Sequence, residues 1–317
     1  MQKIWLGIFW KILSCGCFAG INALVRFLSG GSPIALDHPL PIYTIMFFQN
    51  IIAVLIISSW MMSNKTLQYK NFVTKKPWLH LIRVVTAAIG IGLWYISLRY
   101  IPVVQVVALS LIGPIITTVG AVLFLKEKFN LQCKIAILLS LIGGFLMARP
   151  DQTLINASSY SWLMLLPLLA AFVFALDKLL TRRLLAANES PSSLAWLLVA
   201  FISPLCILPA MYYGWVSPNL EHIPWLLLLG ALNGLAHFTF NKAYALTEVT
   251  VLLPFGAAKL ILSAIISYMV FYEAPRTLDM WSGIGIIVLS TIVLAINQDT
   301  IKRIQRLFKV KQAVPVQ

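Results

Sequence analysis

The chain of 317 residues is 60% hydrophobic and only 11% charged, with a mean hydropathy of +0.89. A soluble domain of this size cannot bury so much apolar surface, so the composition excludes an ordinary soluble protein and indicates a polytopic membrane protein. The formal net charge is +14. Because the basic residues fall in short gaps between apolar runs, they suit loops that face an anionic leaflet, and nucleic-acid binding is not expected.

Apolar runs of roughly 18 to 23 residues have the length that a helix needs to cross about 30 Å of hydrocarbon. Ten such runs follow one another along the chain, at about 5–27, 41–62, 78–99, 102–124, 132–148, 161–181, 192–213, 223–244, 250–272 and 279–297. The connections between them are short, and several contain Pro or Gly. We therefore predict an all-α polytopic membrane protein with ten transmembrane helices.

The distribution of Lys and Arg predicts the orientation, because cytoplasmic loops are enriched in these residues. If the N-terminus lies inside, the inner loops and the tail contain most of the basic residues: Lys65, Lys70, Lys75, Lys76, Lys126, Lys128, Lys134, Arg182, Arg183, Lys302, Arg303, Arg306, Lys309 and Lys311. The outer loops hold little beyond Arg149 and Arg276. Both termini are thus predicted to lie in the cytoplasm.

The two halves of the chain resemble each other. The segment 98–128, LRYIPVVQVVALSLIGPIITTVGAVLFLKEK, aligns without a gap on 244–274, YALTEVTVLLPFGAAKLILSAIISYMVFYEA, at an offset of 146 residues. With five predicted helices in each half, equivalent positions such as Glu127 and Glu273 face opposite sides of the membrane. This is the inverted-topology repeat found in alternating-access carriers.

The same segments resemble a known family. SLRYIPVVQVVALSLIGPIITTVGAVLFLKEK followed by SLIGGFLMARP is similar to the EamA repeat of the drug/metabolite transporter superfamily, and AYALTEVTVLLPF with FYEAP downstream resembles its second copy. The resemblance implies two five-helix repeats at 12–149 and 158–297, followed by a basic cytoplasmic tail at 298–317. It also implies a secondary carrier in the inner membrane of a bacterium, which works without a cofactor by exchange, proton coupling or facilitated diffusion.

The resemblance implies a small-molecule substrate but leaves its identity open, because related families carry amino acids, S-adenosylmethionine, riboflavin, sugars and drugs. The small multidrug exporters of the superfamily depend on a glutamate in the first helix. Here the first predicted helix has Asn22 and Arg26 instead. This departure disfavours exchange of a cationic drug for protons.

Lys259 lies deep within the predicted span 250–272. An ionisable side chain at mid-bilayer costs about 2.5–3.5 kcal/mol on insertion scales, so it requires a polar space or a partner. Lys259 begins a helical face that continues with Ser263 and Ser267. We predict that Lys259 binds an anionic group of the substrate in a central cavity; the alternative is a structural ion pair with Asp177 or Glu248.

Other polar and aromatic residues lie at matching depths in the predicted helices. Asn233, His237 and Asn241 form a second helical face at the same spacing in the span 223–244. With Lys259, the full set of cavity candidates is His237, Asn241, Asn233, Ser263, Tyr95, Trp94, Asp177 and Asn22. Interhelical hydrogen bonding is the alternative role for the histidine and for the two asparagines of the second face, and packing is the alternative for the serine and the aromatic residues.

These residues favour transport of a small polar metabolite. Lys259 would suit a carboxylate and Asp177 an amino group, so an amino-acid-like or S-adenosylmethionine-like zwitterion is the favoured substrate. Export of drugs or of other metabolites such as riboflavin is the alternative. A membrane-embedded enzyme is a distant alternative, because the sequence contains neither HExxH nor GxSxG and suggests no metal site. An ion channel would show rings of charge or a filter loop.

Overall fold

Apolar segments in lipid satisfy their backbone hydrogen bonds internally, which is why they form helices. The computed structural model describes residues 2–31, 36–63, 76–125, 131–148, 161–252 and 254–271, with isolated positions between 278 and 290, and within these it contains no strand. The helices are α1 (Gln2–Leu28), α2 (Ile42–Ser63), α3 (Pro77–Tyr100), α4 (Val103–Leu109), α5 (Gly113–Leu125), α6 (Leu131–Ala148), α7 (Leu165–Ala186), α8 (Pro191–Leu205), α9 (Ile207–Tyr213), α10 (Ile223–Leu246), α11 (Val249–Leu252) and α12 (Ala258–Phe271).

Within the described residues, five helical segments are long and apolar enough to cross a membrane: Ile4–Leu28, Ile42–Ser63, Pro77–Tyr100, Pro191–Tyr213 and Leu220–Leu246. Two shorter apolar helices, Gly113–Phe124 and Ala258–Phe271, lie where two further spans are predicted. The predicted tenth span, 279–297, falls for the most part outside the described residues. The structure thus confirms a helical protein with several membrane spans, and the count of ten stays a prediction.

Local sequence signals explain several helix ends. Pro77 and Pro191 occupy the first turns of α3 and α8, where their missing N–H groups would have had no partner in any case. The Ser190 hydroxyl caps α8 by accepting a hydrogen bond from the backbone N–H of Ser193 at 3.1 Å. The chain leaves α9 at Gly214, whose φ of 86° suits glycine.

Two helical segments are interrupted at equivalent points of the two halves. A short 3₁₀ turn at Ser110–Ile112 separates α4 from α5, and another at Pro254–Ala257 separates α11 from α12. Pro254 lacks an N–H and Gly256 lacks a side chain, so both favour a break there. The Cys15 thiol of α1 lies 3.7 Å from the Phe255 carbonyl oxygen in this turn.

The core lies between the two halves of the chain rather than within either half. The most extensive helix packing joins α1 to α10 and α3 to α7. These two contacts are equivalent in the repeat, because α1 and α7 are the first helices of the two halves and α3 aligns on α10. The contact of α1 with α12 is likewise equivalent to that of α7 with α5. In addition, α2 packs on α8 and α4 packs on α12.

Two arginines occupy equivalent positions in this arrangement. The Arg26 guanidinium donates to the carbonyl oxygens of Leu98 at 3.3 Å and Ile101 at 2.6 Å, near the end of α3. Arg182 donates to the Tyr244 carbonyl at 2.5 Å, near the end of α10. Leu98 and Tyr244 are separated by the repeat offset of 146 residues. Arg26 and Arg182 therefore stabilise the ends of equivalent helices. Because the two arginines are 156 residues apart, α1 aligns on α7 at that offset.

Candidate functional site

A central cavity lies between α1, α3, α7 and α10, with the interrupted segments α4–α5 and α11–α12 completing its wall. Its volume is about 170 Å³, which leaves room for on the order of ten water molecules. Charged, polar and aromatic side chains line it together. The cavity therefore combines charged and polar groups with a largely apolar and aromatic wall, and it can hold water or a ligand, unlike a purely apolar packing defect.

Lys259 and Trp94 form one side of the cavity. The 3₁₀ turn before α12 directs Lys259 toward α3, and its Nζ lies 4.1 Å from the centroid of the Trp94 ring. A cation over an indole face is stabilised by about 0.5–2 kcal/mol. The Trp94 Nε1–H donates to Asn22 Oδ1 at 2.9 Å, which fixes the ring against α1. Three of the predicted site residues are thus in contact or linked by a hydrogen bond.

Lys11 forms a second ammonium–aromatic contact, which the sequence analysis did not identify. Its Nζ lies 4.9 Å from the centroid of the Phe240 ring and 5.3 Å from that of Tyr244. The signal was present in the sequence, because Lys11, Cys15 and Asn22 share one face of α1, and all three line the cavity. Lys11 lies near the beginning of the apolar run, where a lysine side chain commonly extends to the membrane surface. Its position in the sequence therefore did not distinguish it as a cavity residue.

Asp177 lines the cavity but is engaged by α3. Its Oδ1 lies 3.3 Å from the Arg83 Nε, which also donates to the Thr181 hydroxyl at 2.8 Å. Arg83 is only 1% exposed, so a second hydrogen bond, to the Leu194 carbonyl at 3.0 Å, helps to satisfy it. The alternative of an ion pair between Lys259 and Asp177 is not observed, since the carboxylate is paired with Arg83.

The cavity carries an excess of positive charge. Three lysines line it, Lys11, Lys178 and Lys259, and among the described residues none of them forms an ion pair. The charge of Lys178 is repelled by those of the other two lysines and attracted by Asp177. Each ammonium group therefore lacks an anionic partner of its own, which leaves the lysines able to bind acceptor or anionic groups of a ligand.

His237 and Tyr95 also line the cavity. The His237 ring packs edge-on against Phe18, with 5.6 Å between the ring centroids. The Tyr95 hydroxyl donates to Gln49 Oε1 at 2.8 Å, which anchors the phenol against α2. Both residues combine a hydrogen-bonding group with an aromatic ring, and both rings contribute to the cavity wall.

Three predicted site residues lie outside the lining. Asn233 Nδ2 donates to Asn50 Oδ1 at 3.0 Å and so links α10 to α2. Asn241 Nδ2 donates to the Pro191 carbonyl at 3.2 Å and links α10 to α8. Ser263 is buried in α12 away from the cavity. The helical faces predicted around His237 and Lys259 are therefore turned toward neighbouring helices at these positions, where the asparagines stabilise helix pairs.

The lining follows the repeat closely. At the offset of 156 residues, the α1 positions 15, 18, 21 and 22 correspond to the α7 positions 171, 174, 177 and 178, and all eight line the cavity. The ring contact between Phe18 and Phe240, 6.3 Å between centroids, corresponds to that between Phe174 and Trp94 at 5.9 Å. The cavity is thus built from matching parts of the two halves.

Comparison with known proteins identifies the family. The model of the EamA-like transporter family matches residues 5–149 and again 161–296. A riboflavin transporter of Vibrio cholerae is 33% identical over 288 residues, covering 90% of this chain and 91% of its own length. A riboflavin transporter of Brucella anthropi is 26% identical, covering 91% and 98%. An S-adenosylmethionine uptake transporter of Rickettsia bellii is 26% identical over 214 residues, covering 68% and 71%.

A solved crystal structure shares the fold, with a TM-score of 0.72 at 15% identity, covering 93% of this chain and 98% of the other. The fold, the cavity between the two halves and the match of the family model to both halves agree. The chain is a small-molecule transporter of the drug/metabolite transporter superfamily and belongs to the EamA-like transporter family.

Proposed function

We propose that this protein is an alternating-access carrier for riboflavin or a closely related flavin. The cavity observation that supports this most directly is its aromatic wall, to which Phe18, Trp94, Phe174, Phe240 and Tyr244 contribute. Riboflavin has a planar ring system with carbonyl acceptors at one end and a polyhydroxylated chain. Aromatic side chains stack on such a ring system, and lysine ammonium groups donate hydrogen bonds to its carbonyl oxygens.

Similarity to known carriers supports the same substrate. The relative from Vibrio cholerae that is named a riboflavin transporter matches nearly the whole chain at 33% identity. The relatives named S-adenosylmethionine uptake transporters match a smaller part at 26% identity or less. Riboflavin is therefore preferred over an S-adenosylmethionine-like zwitterion, which the sequence alone had favoured.

Transport of an S-adenosylmethionine-like zwitterion is the second candidate, supported by those relatives and by the carboxylate of Asp177. The charges of the cavity oppose it. A sulfonium or amino group would enter a space lined by Lys11, Lys178 and Lys259, where like charges repel. Asp177 would have to leave Arg83 in order to bind it. A neutral or anionic aromatic substrate meets neither obstacle.

In this proposal the carrier spans the inner membrane of a bacterium ten times, as two inverted repeats at 12–149 and 158–297, with both termini and the basic tail 298–317 in the cytoplasm. The exchange symmetry of the helix contacts and of the cavity lining supports the inverted arrangement. Lys259 binds an acceptor group of the substrate, Trp94 and Tyr95 stack on its ring, and His237 and Asn22 contribute hydrogen bonds.

The test is transport by purified protein in liposomes. We expect uptake of radiolabelled riboflavin that saturates and that accelerates when unlabelled riboflavin is present inside. Saturation and trans-acceleration distinguish a carrier from a channel, and recovery of unchanged riboflavin distinguishes it from an enzyme. Saturable uptake of radiolabelled S-adenosylmethionine without saturable uptake of riboflavin would transfer the proposal to the second candidate.

A further inference from the structure

We propose that the cavity contains two substrate half-sites at different depths, one built on Lys259 and Trp94 and the other on Lys11 and Phe240. This rests on the proposed function and assigns Lys11 as a second substrate-binding residue. The substrate is held by the Lys11 half-site when the carrier opens to the cytoplasm and by the Lys259 half-site when it opens to the outside.

The two half-sites are related by the repeat. Trp94 and Phe240 are 146 residues apart, and each ring carries a lysine ammonium on one side and a phenylalanine of the opposite half on its edge. Duplication alone does not account for the lysines. The repeat counterpart of Lys259 is Gly113, and that of Lys11 is Pro167. Two non-equivalent positions therefore supply the same charge to equivalent rings.

The two half-sites adjoin each other at different levels of α1. Gly7, one turn before Lys11, lies beside Thr247 just beyond the end of α10, and Phe240 belongs to the last two turns of that helix. Trp94 instead bonds to Asn22, whereas the Phe240 ring contacts Phe18, one turn earlier in α1, so the two rings are offset by about 6 Å along this helix. With the N-terminus in the cytoplasm, the Lys11 half-site is the inner one.

The aromatic contact of each lysine explains how its charge is stabilised and how it can be transferred to a substrate. A lysine ammonium in a membrane protein requires a partner, and in each half-site a ring face provides one. A substrate with carbonyl acceptors offers the ammonium a stronger hydrogen-bonding partner and releases the ring face for stacking. The inner half-site binds the substrate in this way when the carrier opens to the cytoplasm, and the outer half-site does so when the carrier opens to the outside.

The experiment measures riboflavin transport in right-side-out and inside-out membrane vesicles. Loss of a hydrogen bond from a charged donor corresponds to roughly a tenfold to hundredfold loss of affinity. We expect Lys11→Met to raise the KM about tenfold or more for entry from the cytoplasmic side and less than about threefold from the outer side. Lys259→Met is expected to show the reverse asymmetry.

Lys242→Met is the matched control. Lys242 places its ammonium 4.9 Å from the Trp10 ring and 5.5 Å from the Phe238 ring, but it does not line the cavity. Its KM from either side should equal that of the wild type. If Lys11→Met misfolds, as judged by size-exclusion chromatography in detergent, Lys11→Gln and Lys11→Arg replace it, and the arginine variant should retain more of the inner-side affinity.

Three results would overturn the proposal. An unchanged KM from both sides in Lys11→Met would make Lys11 a structural residue. An equal rise from both sides in both lysine variants would indicate a single undivided site. Failure of the wild type to transport riboflavin in either vesicle orientation would instead refute the proposed function, on which the half-sites rest.

Discussion

The ammonium of Lys259 lies 4.1 Å from the centroid of the Trp94 ring, while Asp177, a possible ion-pair partner, is held by Arg83. The charge of Lys259 is therefore stabilised by an aromatic face and not by a carboxylate. An ion pair would have neutralised Lys259 and tied it to α7. The aromatic contact leaves its charge available to a ligand in the cavity.

Replacement of Lys259 by Met keeps the length and the apolar stem of the side chain but removes its charge. We expect Lys259→Met to reduce riboflavin uptake from the outer side by roughly 10- to 100-fold, the loss of one hydrogen bond from a charged donor. The amount of folded protein in the membrane should not change. Lys259→Arg keeps the charge with altered geometry and should retain part of the activity. Normal uptake by the Met variant would limit Lys259 to a structural role.

Arg83, which is buried, forms an ion pair with the partly buried Asp177, and this pair should stabilise the fold. Removal of one partner of such a pair costs about 3–5 kcal/mol, because the other charge is left uncompensated. We expect Arg83→Met to lower the melting temperature of the purified protein markedly. The double variant Arg83→Met/Asp177→Asn should recover much of this loss, as measured by thermal unfolding in detergent. A double variant no more stable than Arg83→Met would contradict this account.

Asn233 and Asn50 link α10 to α2 outside the cavity. Polar pairs of this kind between membrane helices contribute about 0.6 kcal/mol on average and up to about 1.7 kcal/mol. Asn233→Ala should therefore reduce thermal stability slightly and leave the KM for riboflavin unchanged. His237→Leu, one turn further along α10, faces the cavity and should raise the KM. Equal effects of the two changes on the KM would contradict the separation of packing and lining residues.

The hydrogen bond from Trp94 to Asn22 holds the indole ring in the cavity wall. Trp94→Phe removes the donor but keeps an aromatic face, and Asn22→Ala removes the acceptor. In a double-mutant cycle on riboflavin binding, we expect a coupling energy of about 0.5–1.5 kcal/mol between the two changes, the net contribution of one hydrogen bond. Additive effects would show that the bond does not position the ring for the substrate.

The proposed topology can be tested by reporter fusions and by labelling of single cysteines. We expect the 63–76 loop, the 125–131 loop and the C-terminus to face the cytoplasm, and the 29–40 and 273–279 segments to face outward. The positive charges of the inner loops dictate this orientation. A cytoplasmic signal from 273–279 would contradict the inverted repeat.

Much of this protein is determined by local properties of its sequence. The length and apolarity of the runs determine helices that span a membrane, because a backbone in lipid must satisfy its own hydrogen bonds. The break before Lys259 also follows from Pro254 and Gly256, which weaken the helix wherever it is placed. The internal repeat is a property of the chain itself, visible in the alignment of 98–128 on 244–274.

Only the tertiary structure decided which faces of the helices meet in the cavity. A helical period assigns Asn233, His237 and Asn241 to one face of α10, yet only His237 lines the cavity, because α2 and α8 pack against the asparagines. The site depends on contacts between residues far apart in the chain. The approach of Lys11 to Phe240 joins α1 to α10, and no periodicity within either segment specifies the neighbour that a helical face will meet.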